Sequence, residues 1–211
     1  MIAPGPGLWA AFLLSAPAAT LTTIAVARGW GAALDRRLFD ALQLRAPPRP
    51  DGKPPRFVAA LRDLAALGGD MLRLLALALC VALLLAVGRG AVAGELAGLF
   101  AFGRLALVLI KRMVRRARPA AGAFAHVTYT SSFPSGHTAM SVVLFLSVAL
   151  LVPANGSAVA AVAILFALVT SAAIGISRIM LGIHWPSDVV VGWLAGVALV
   201  SGALLAFAAV L

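Results

Sequence analysis

The chain has 211 residues, of which 63% are hydrophobic and 11% charged, and its mean hydropathy is +1.05. That balance excludes an ordinary soluble domain and points to an integral membrane protein, in which each spanning segment must satisfy its own backbone hydrogen bonds. Lys and Arg number 17 against 7 acidic residues, a formal charge of +10 that is concentrated in residues 28–73 and 104–118 and suits lipid phosphates rather than nucleic acid.

A hydrocarbon core about 30 Å thick calls for roughly 20 apolar residues per helical span. The first such run is about Leu8 to Ala27, with Pro17 as an expected kink. Its N-terminal flank lacks the positive charge of a secretory signal, so it reads as a retained span. Residues 28–69 form a polar, Arg/Pro-rich connection in which RAPPRPDGKPPR at 45–56 should be extended. Within it, FVAALRDLAAL at 57–67 places Val58, Leu61 and Ala65 on one helical face, which fits a short interfacial helix and an extended start of the next span equally well.

The second span is expected from Met71 to Val87 and the third from Ala91 to Ile110, joined by a GRG turn at 88–90. Cys80, the single cysteine, lies in the former and reads as a small core hydrophobe; no intrachain disulfide or thiolate metal cluster can form. A basic, loop-like segment leads to Ser135, followed by a fourth span from His137 to Val152 and a PANGS turn at 153–157. The fifth span covers Val159 to Ile176 and the sixth runs from Val189 to the C-terminus, where Gly192 and Gly196 favour close packing within the bundle over a dimer face. The expected fold is therefore all-α, an integral membrane bundle of six transmembrane helices forming one domain over 1–211. With that count the connections after spans one, three and five share one membrane face.

Three stretches on that face carry chemistry: KRMVRRARP at 111–119, PSGH at 134–137 and SRIMLGIHWPSD at 177–188. Splitting a phosphate ester requires cations for the equatorial oxygens, an in-line nucleophile and a proton for the leaving oxygen. Lys111 and Arg118 are seven residues apart and would share a helical face if the third helix continued to Pro119, with Arg104 and Arg115 near the same stripe. Arg112, Arg115 and Arg116 read as a basic flank meeting lipid headgroups. Ser135 falls near a helix N-cap and Gly136 allows close backbone approach, a setting that suits phosphate, with His137 in the first turn. In the third stretch Arg178 follows the fifth span, Pro186 can open the last helix, and His184 and Asp188, four apart, can meet so that the carboxylate orients the imidazole. His126 matches none of these patterns and reads as a solvated or headgroup-level side chain.

These motifs resemble those of the type 2 phosphatidic acid phosphatase superfamily: Lys, six residues, Arg-Pro; Pro-Ser-Gly-His; Ser-Arg, five residues, His, three residues, Asp. Lys111, Arg118 and Pro119, then Pro134 to His137, then Ser177, Arg178, His184 and Asp188 match without departure. The resemblance implies hydrolysis of a lipid phosphate monoester or pyrophosphate without a metal or other cofactor. It implies His184 as nucleophile, Asp188 as its orienting carboxylate and His137 as acid and base. Lys111, Arg118, Ser135, Gly136 and Arg178 would bind the phosphate. Phosphatidate, phosphatidylglycerol phosphate, undecaprenyl pyrophosphate, lipid A and sphingoid phosphates are all candidate substrates. A lipid phosphotransferase using the same phosphohistidine, a soluble vanadium haloperoxidase and a non-catalytic lipid-binding protein are the rival readings; the six spans oppose the second and the intact motifs the third. A bacterial cytoplasmic membrane is the implied location. The Lys/Arg bias places the motif face in the cytoplasm, whereas the bacterial members of the family usually act on the outer side, so both orientations stay open.

Overall fold

The computed structural model describes residues 5–44, 54–119, 130–152 and 157–210, and in these the chain is helical with no strand. Eight helices follow in order: α1 (Pro6–Ala27), α2 (Ala32–Leu42), α3 (Arg56–Leu67), α4 (Asp70–Ala86), α5 (Gly90–Val114), α6 (Gly136–Leu151), α7 (Ser157–Met180) and α8 (Pro186–Val210). Of the sequence expectations, most of the Pro-rich stretch, the PANGS turn up to Gly156, and His126 lie outside the described residues.

Helix α6 forms the centre of the bundle. Residues from Thr138 to Leu144 are all buried, as are Leu146 and Ser147, so it buries nearly its whole circumference against α5, α7 and α8. Small residues permit that closeness. A Cβ on Gly196 would stand 2.6 Å from Val142 Cβ and 2.9 Å from the Ala139 carbonyl, and one on Gly192 2.9 Å from Thr138 Cβ. Both glycines of the Gly192-x-x-x-Gly196 pattern thus serve packing of α8 on α6. Helix α1 lies along α8, where Gly202 admits the ring of Phe12, and it continues through Pro17. Large apolar side chains such as Leu14, Leu21, Leu75, Leu79, Leu165 and Phe166 point outward, as a hydrocarbon surround requires.

Four helices, α1, α5, α7 and α8, are long and apolar enough to cross a membrane, and α3 with α4, bent by 46° at Gly68–Gly69, makes a fifth if the pair is one broken span. Helix α6 has 16 residues, a rise of about 24 Å, and falls short of the usual length on its own. Residues 57–67, for which a short interfacial helix and an extended start of the second span are equal expectations, lie in a helix of their own, α3, set off from α4 by the bend at Gly68–Gly69.

Three local expectations are corrected. The polar connection after the first span contains α2, introduced by Gly29 and Gly31 in the left-handed region. Its apolar stripe, Leu34, Leu38 and Leu42, is exposed while Asp35 and Phe39 are buried, so the face that packs is not the one hydrophobicity marks. Helix α5 also stops at Val114, with Arg115 at φ +22° turning the chain away, rather than running to Pro119. Lys111 is therefore helical and Arg118 is not. Arg178, conversely, lies in the last turn of α7 instead of beyond it.

Candidate active site

The C-terminal ends of α5 and α7 and the N-terminal ends of α6 and α8 meet at one end of the bundle. Two helix N-termini, each a positive dipole end, thus face the same region; at α8 the Ser187 N–H is taken by Asp35 and the Asp188 N–H by the Trp185 carbonyl. Ser135 is the N-cap residue of α6, fully buried; its N–H donates to the Asp188 carbonyl at 2.9 Å and its hydroxyl accepts from Thr138 at 2.9 Å. Gly136 beside it lies close to α5, where a Cβ would meet Leu107 at 3.2 Å. The Lys111 ammonium donates to the carbonyls of Ser131 (2.9 Å) and Pro134 (2.7 Å), fixing the strand of chain that enters α6.

His184 is 2% exposed and sits in the short turn between α7 and α8. Its Nε2 lies 3.2 Å from Arg118 Nη1, and its Nδ1 lies 3.4 Å from Asp188 Oδ2. A guanidinium can only donate, so Nε2 must offer its lone pair and Nδ1 must carry the proton, directed at the carboxylate. Burial pushes the His184 imidazole down to about 4, helped by Arg118 and Arg178 and opposed by Asp188. It is therefore a neutral base at ordinary pH. Arg118 also donates to the Ile183 carbonyl (3.1 Å) and through Nε and Nη2 to Thr130 (3.2 Å each). Burial lowers its guanidinium below the ordinary value, with Asp188 opposing.

Asp188 is fully buried in the first turn of α8, after Pro186, as the sequence suggested. Its Oδ2 accepts from the Ser132 hydroxyl and from the Trp185 N–H (3.0 Å), and its Oδ1 accepts from Arg116 Nη1 at 2.8 Å. Arg116 is thus no headgroup anchor. Only 19% exposed, it also pairs with Asp35 of α2 at 2.5 Å and lies 5.5 Å from the centre of the Trp185 ring. Arg112 and Arg115 stay exposed.

His137 is half-buried, and its ring nitrogens have no hydrogen-bond partner among the described residues; Arg178, Arg73 and His184 lie within electrostatic reach. The Arg178 Nε is buried without a partner among the described residues, an orphaned donor that a bound anion would satisfy. Arg73, 2% exposed in α4, donates to the carbonyls of Gly136 (2.8 Å) and His137 (3.5 Å) and pairs with Asp70, which Arg104 of α5 also holds at 2.8 Å. A cleft of about 650 Å³ opens beside the site, walled by Lys111, Arg112, Arg115, Arg116 and Arg118 with Thr130 and Ser131; neither histidine lines it. No group of three His, Cys, Asp or Glu side chains able to hold a metal converges among the described residues.

The structure thus brings together Lys111, Arg118, Ser135, Gly136, His137, Arg178, His184 and Asp188, which lie far apart in sequence. Asp35, Arg73, Arg116 and Ser132 join them unannounced. Arg73 carried a usable signal, a charge three residues into an apolar span. Asp35, in a run of mixed charge, carried none.

Residues 73–210, about two thirds of the chain, match the PAP2 superfamily. The chain belongs to this superfamily. Lipid A 1-phosphatases of Rhizobium etli and Rhizobium johnstonii are each 36% identical over 100 residues, 43% of this chain. The chain aligns with only 40% and 38% of their respective lengths. Among solved structures, the first transmembrane PAP2-type phosphatidylglycerolphosphate phosphatase from Bacillus subtilis superposes with a TM-score of 0.76 over 89% of this chain and 92% of its own, at 22% identity. Aquifex aeolicus LpxE gives 0.59 over 81% and 94%, at 23% identity. With its apolar helices and this fold, the chain is an integral membrane protein.

Proposed function

We propose that this protein hydrolyses a phosphate monoester or pyrophosphate on a membrane lipid through a phosphohistidine at His184. The observation that carries this reading is the His184 ring itself: Nδ1 turned to Asp188, and Nε2 left as a lone pair beside Arg118. A phosphoryl group brought to that lone pair would meet Arg118, Lys111, the orphaned Arg178 Nε, the Ser135 hydroxyl and the N-terminal N–H groups of α6 from Gly136 onward. In the first step the Nε2–P bond forms as the P–O bond to the lipid breaks, and His137 gives the leaving oxygen its proton. In the second, His137 takes a proton from water, which attacks phosphorus and frees His184. Fixed cations would balance the charge that a divalent metal balances in other phosphatases.

The membrane setting of this reading takes α6 and the bent α3–α4 pair as spans, giving six in all with the site at one face. Because the matched relatives named for an activity act on lipid A, and the similar fold of the Bacillus structure is named for phosphatidylglycerol phosphate, both lipids belong in the test. Protein purified in detergent is assayed for inorganic phosphate with these lipids, phosphatidate and undecaprenyl pyrophosphate, in EDTA, with and without vanadate. Release from at least one, inhibited by vanadate and lost in His184→Ala, is expected. Full activity in His184→Ala or complete loss in EDTA overturns the reading; phosphate recovered on an acceptor lipid instead of free would make the protein a transferase.

A further inference from the structure

We propose that Asp35 and Arg116 are positioning residues that hold the Asp188 carboxylate in register with His184, tying helix α2 to the chemistry. This rests on the phosphohistidine reading. Neither residue belongs to the matched motifs: Arg116 occupies one of the unspecified positions between Lys111 and Arg118, and Asp35 lies outside the segment 73–210 that matches the superfamily.

The geometry is a chain of paired groups. Asp188 has no exposed surface, so each of its oxygens needs donors. Oδ2, the one facing His184, takes Ser132 and the Trp185 N–H, and Oδ1 takes Arg116 Nη1. Pinning both oxygens stops the carboxylate from rotating away from the imidazole. Arg116 is itself held: Nη1 also donates to the Ser187 hydroxyl at 2.7 Å, Nη2 donates to Asp35 Oδ2 at 2.5 Å, and its plane is backed by Trp185. Asp35 is 6% exposed and completes the circuit. Its Oδ1 accepts the Ser187 N–H at 2.9 Å, one of the unpaired donors at the start of α8, and its Oδ2 accepts the Ser187 hydroxyl at 2.5 Å.

The charges give this arrangement a second consequence. One guanidinium stands between two carboxylates, so Asp35 takes up part of the Arg116 charge that would otherwise bear wholly on Asp188. Asp188 then keeps enough negative charge to hold the Nδ1 proton. The other groups that bear on the charge of His184 are Arg118, Arg178 and, when protonated, His137, which approach from different segments and do not touch Asp35.

The test compares Asp35→Asn, Arg116→Gln and Arg116→Lys with wild type in full-length protein, with helix content and elution volume checked and His184→Ala as the blank. Both neutral variants should lose kcat by about 10- to 100-fold, with KM for the lipid changed by less than about twofold, because neither residue binds phosphate in this proposal. In Arg116→Gln the acid limb of kcat should move up by about one pH unit toward the ordinary imidazole value, since Asp188 is relieved of its cation. Arg116→Lys should restore the limb but not the full rate, a single ammonium being unable to bridge both carboxylates. The double variant Asp35→Asn/Arg116→Gln should be no slower than Arg116→Gln alone. If Asp35→Asn does not fold, Ser187→Ala, which removes two of the contacts in the circuit, should show the same kcat loss in smaller measure. Folded variants with kcat within twofold of wild type, an unmoved limb, or a raised KM at unchanged kcat overturn the proposal. Since His184→Ala reads the phosphohistidine step directly, an inactive blank beside a normal Asp35→Asn sinks this inference and spares the mechanism.

Discussion

His184 shows how far environment sets the character of a side chain here. The imidazole is nearly inaccessible, and its pKa falls to about 4 because burial and two guanidinium groups outweigh one carboxylate. A base with a lowered pKa is fully in its neutral form above that value. Phosphate release, corrected for ionisation of the substrate phosphate, should therefore persist to about pH 5 without a limb at the ordinary imidazole pKa near 6.5. The same shift bears on stability. Between about 6.5 and 4 the unfolded chain binds a proton that the folded site refuses, so His184 should make the fold less stable as pH falls through that window, and thermal unfolding in detergent at pH 7 and pH 5 reads the difference. Among the cations, Arg178 has a buried Nε without a described partner, and Arg178→Gln should cost about 100- to 1,000-fold in kcat. Phosphate-release rates at saturating lipid check this.

At the scale of elements, glycines decide how near the helices come. Gly196→Ala would put a methyl 2.6 Å from Val142 Cβ and 2.9 Å from a carbonyl of α6, where backbone has to yield. A loss of about 1–3 kcal/mol is expected, read as a lower unfolding temperature with modest change in kcat. Gly68, at the bend between α3 and α4, makes the contrasting case. Its added methyl would press on Ile174 at 2.6 Å, Ser141 Oγ at 3.2 Å and His137 Cβ at 3.3 Å. Gly68→Ala should thus lower kcat by roughly 10-fold through displacement of His137, with little change in KM, and steady-state kinetics distinguish the two glycines. Helix α2 is the element hydrophobicity hid, since it packs through Asp35 and Phe39 and leaves its leucines outward.

For the molecule as a whole, the arrangement of helix ends explains why so basic a chain gathers its charge. Lys111, Arg116, Arg118, Arg178 and Arg73 converge on two helix N-termini, and the acids that offset them, Asp35, Asp70 and Asp188, are all engaged in pairs with them. An open cleft beside them, to which Arg112 and Arg115 add two exposed cations, suits an anionic headgroup arriving from the bilayer surface. If α1, the α3–α4 pair and α5 to α8 all span, both termini lie opposite the site. A reporter fused to the C-terminus then reads the orientation: a periplasmic signal puts the chemistry in the cytoplasm, as the positive-inside bias expects, and a cytoplasmic signal puts it outside.

The membrane class, the order of the apolar helices and the eight candidate site residues were legible in the chain because hydropathy is a local sum and the motifs have fixed spacing. Even the meeting of His184 with Asp188 was readable, since four residues at a helix start form a local contact. What the sequence could not disclose depends on distant partners. Arg116 changes from a basic flank to a buried bridge only when α2 and α8 close around it, 81 and 72 residues away along the chain. The end of α5 at Val114 likewise frees Arg118 to reach back to His184, a departure that residues 111–119 alone do not announce. Residue type and spacing established which groups were available for phosphate chemistry; tertiary packing decided their partners, because a buried charge is defined by whatever the fold places within hydrogen-bonding distance of it.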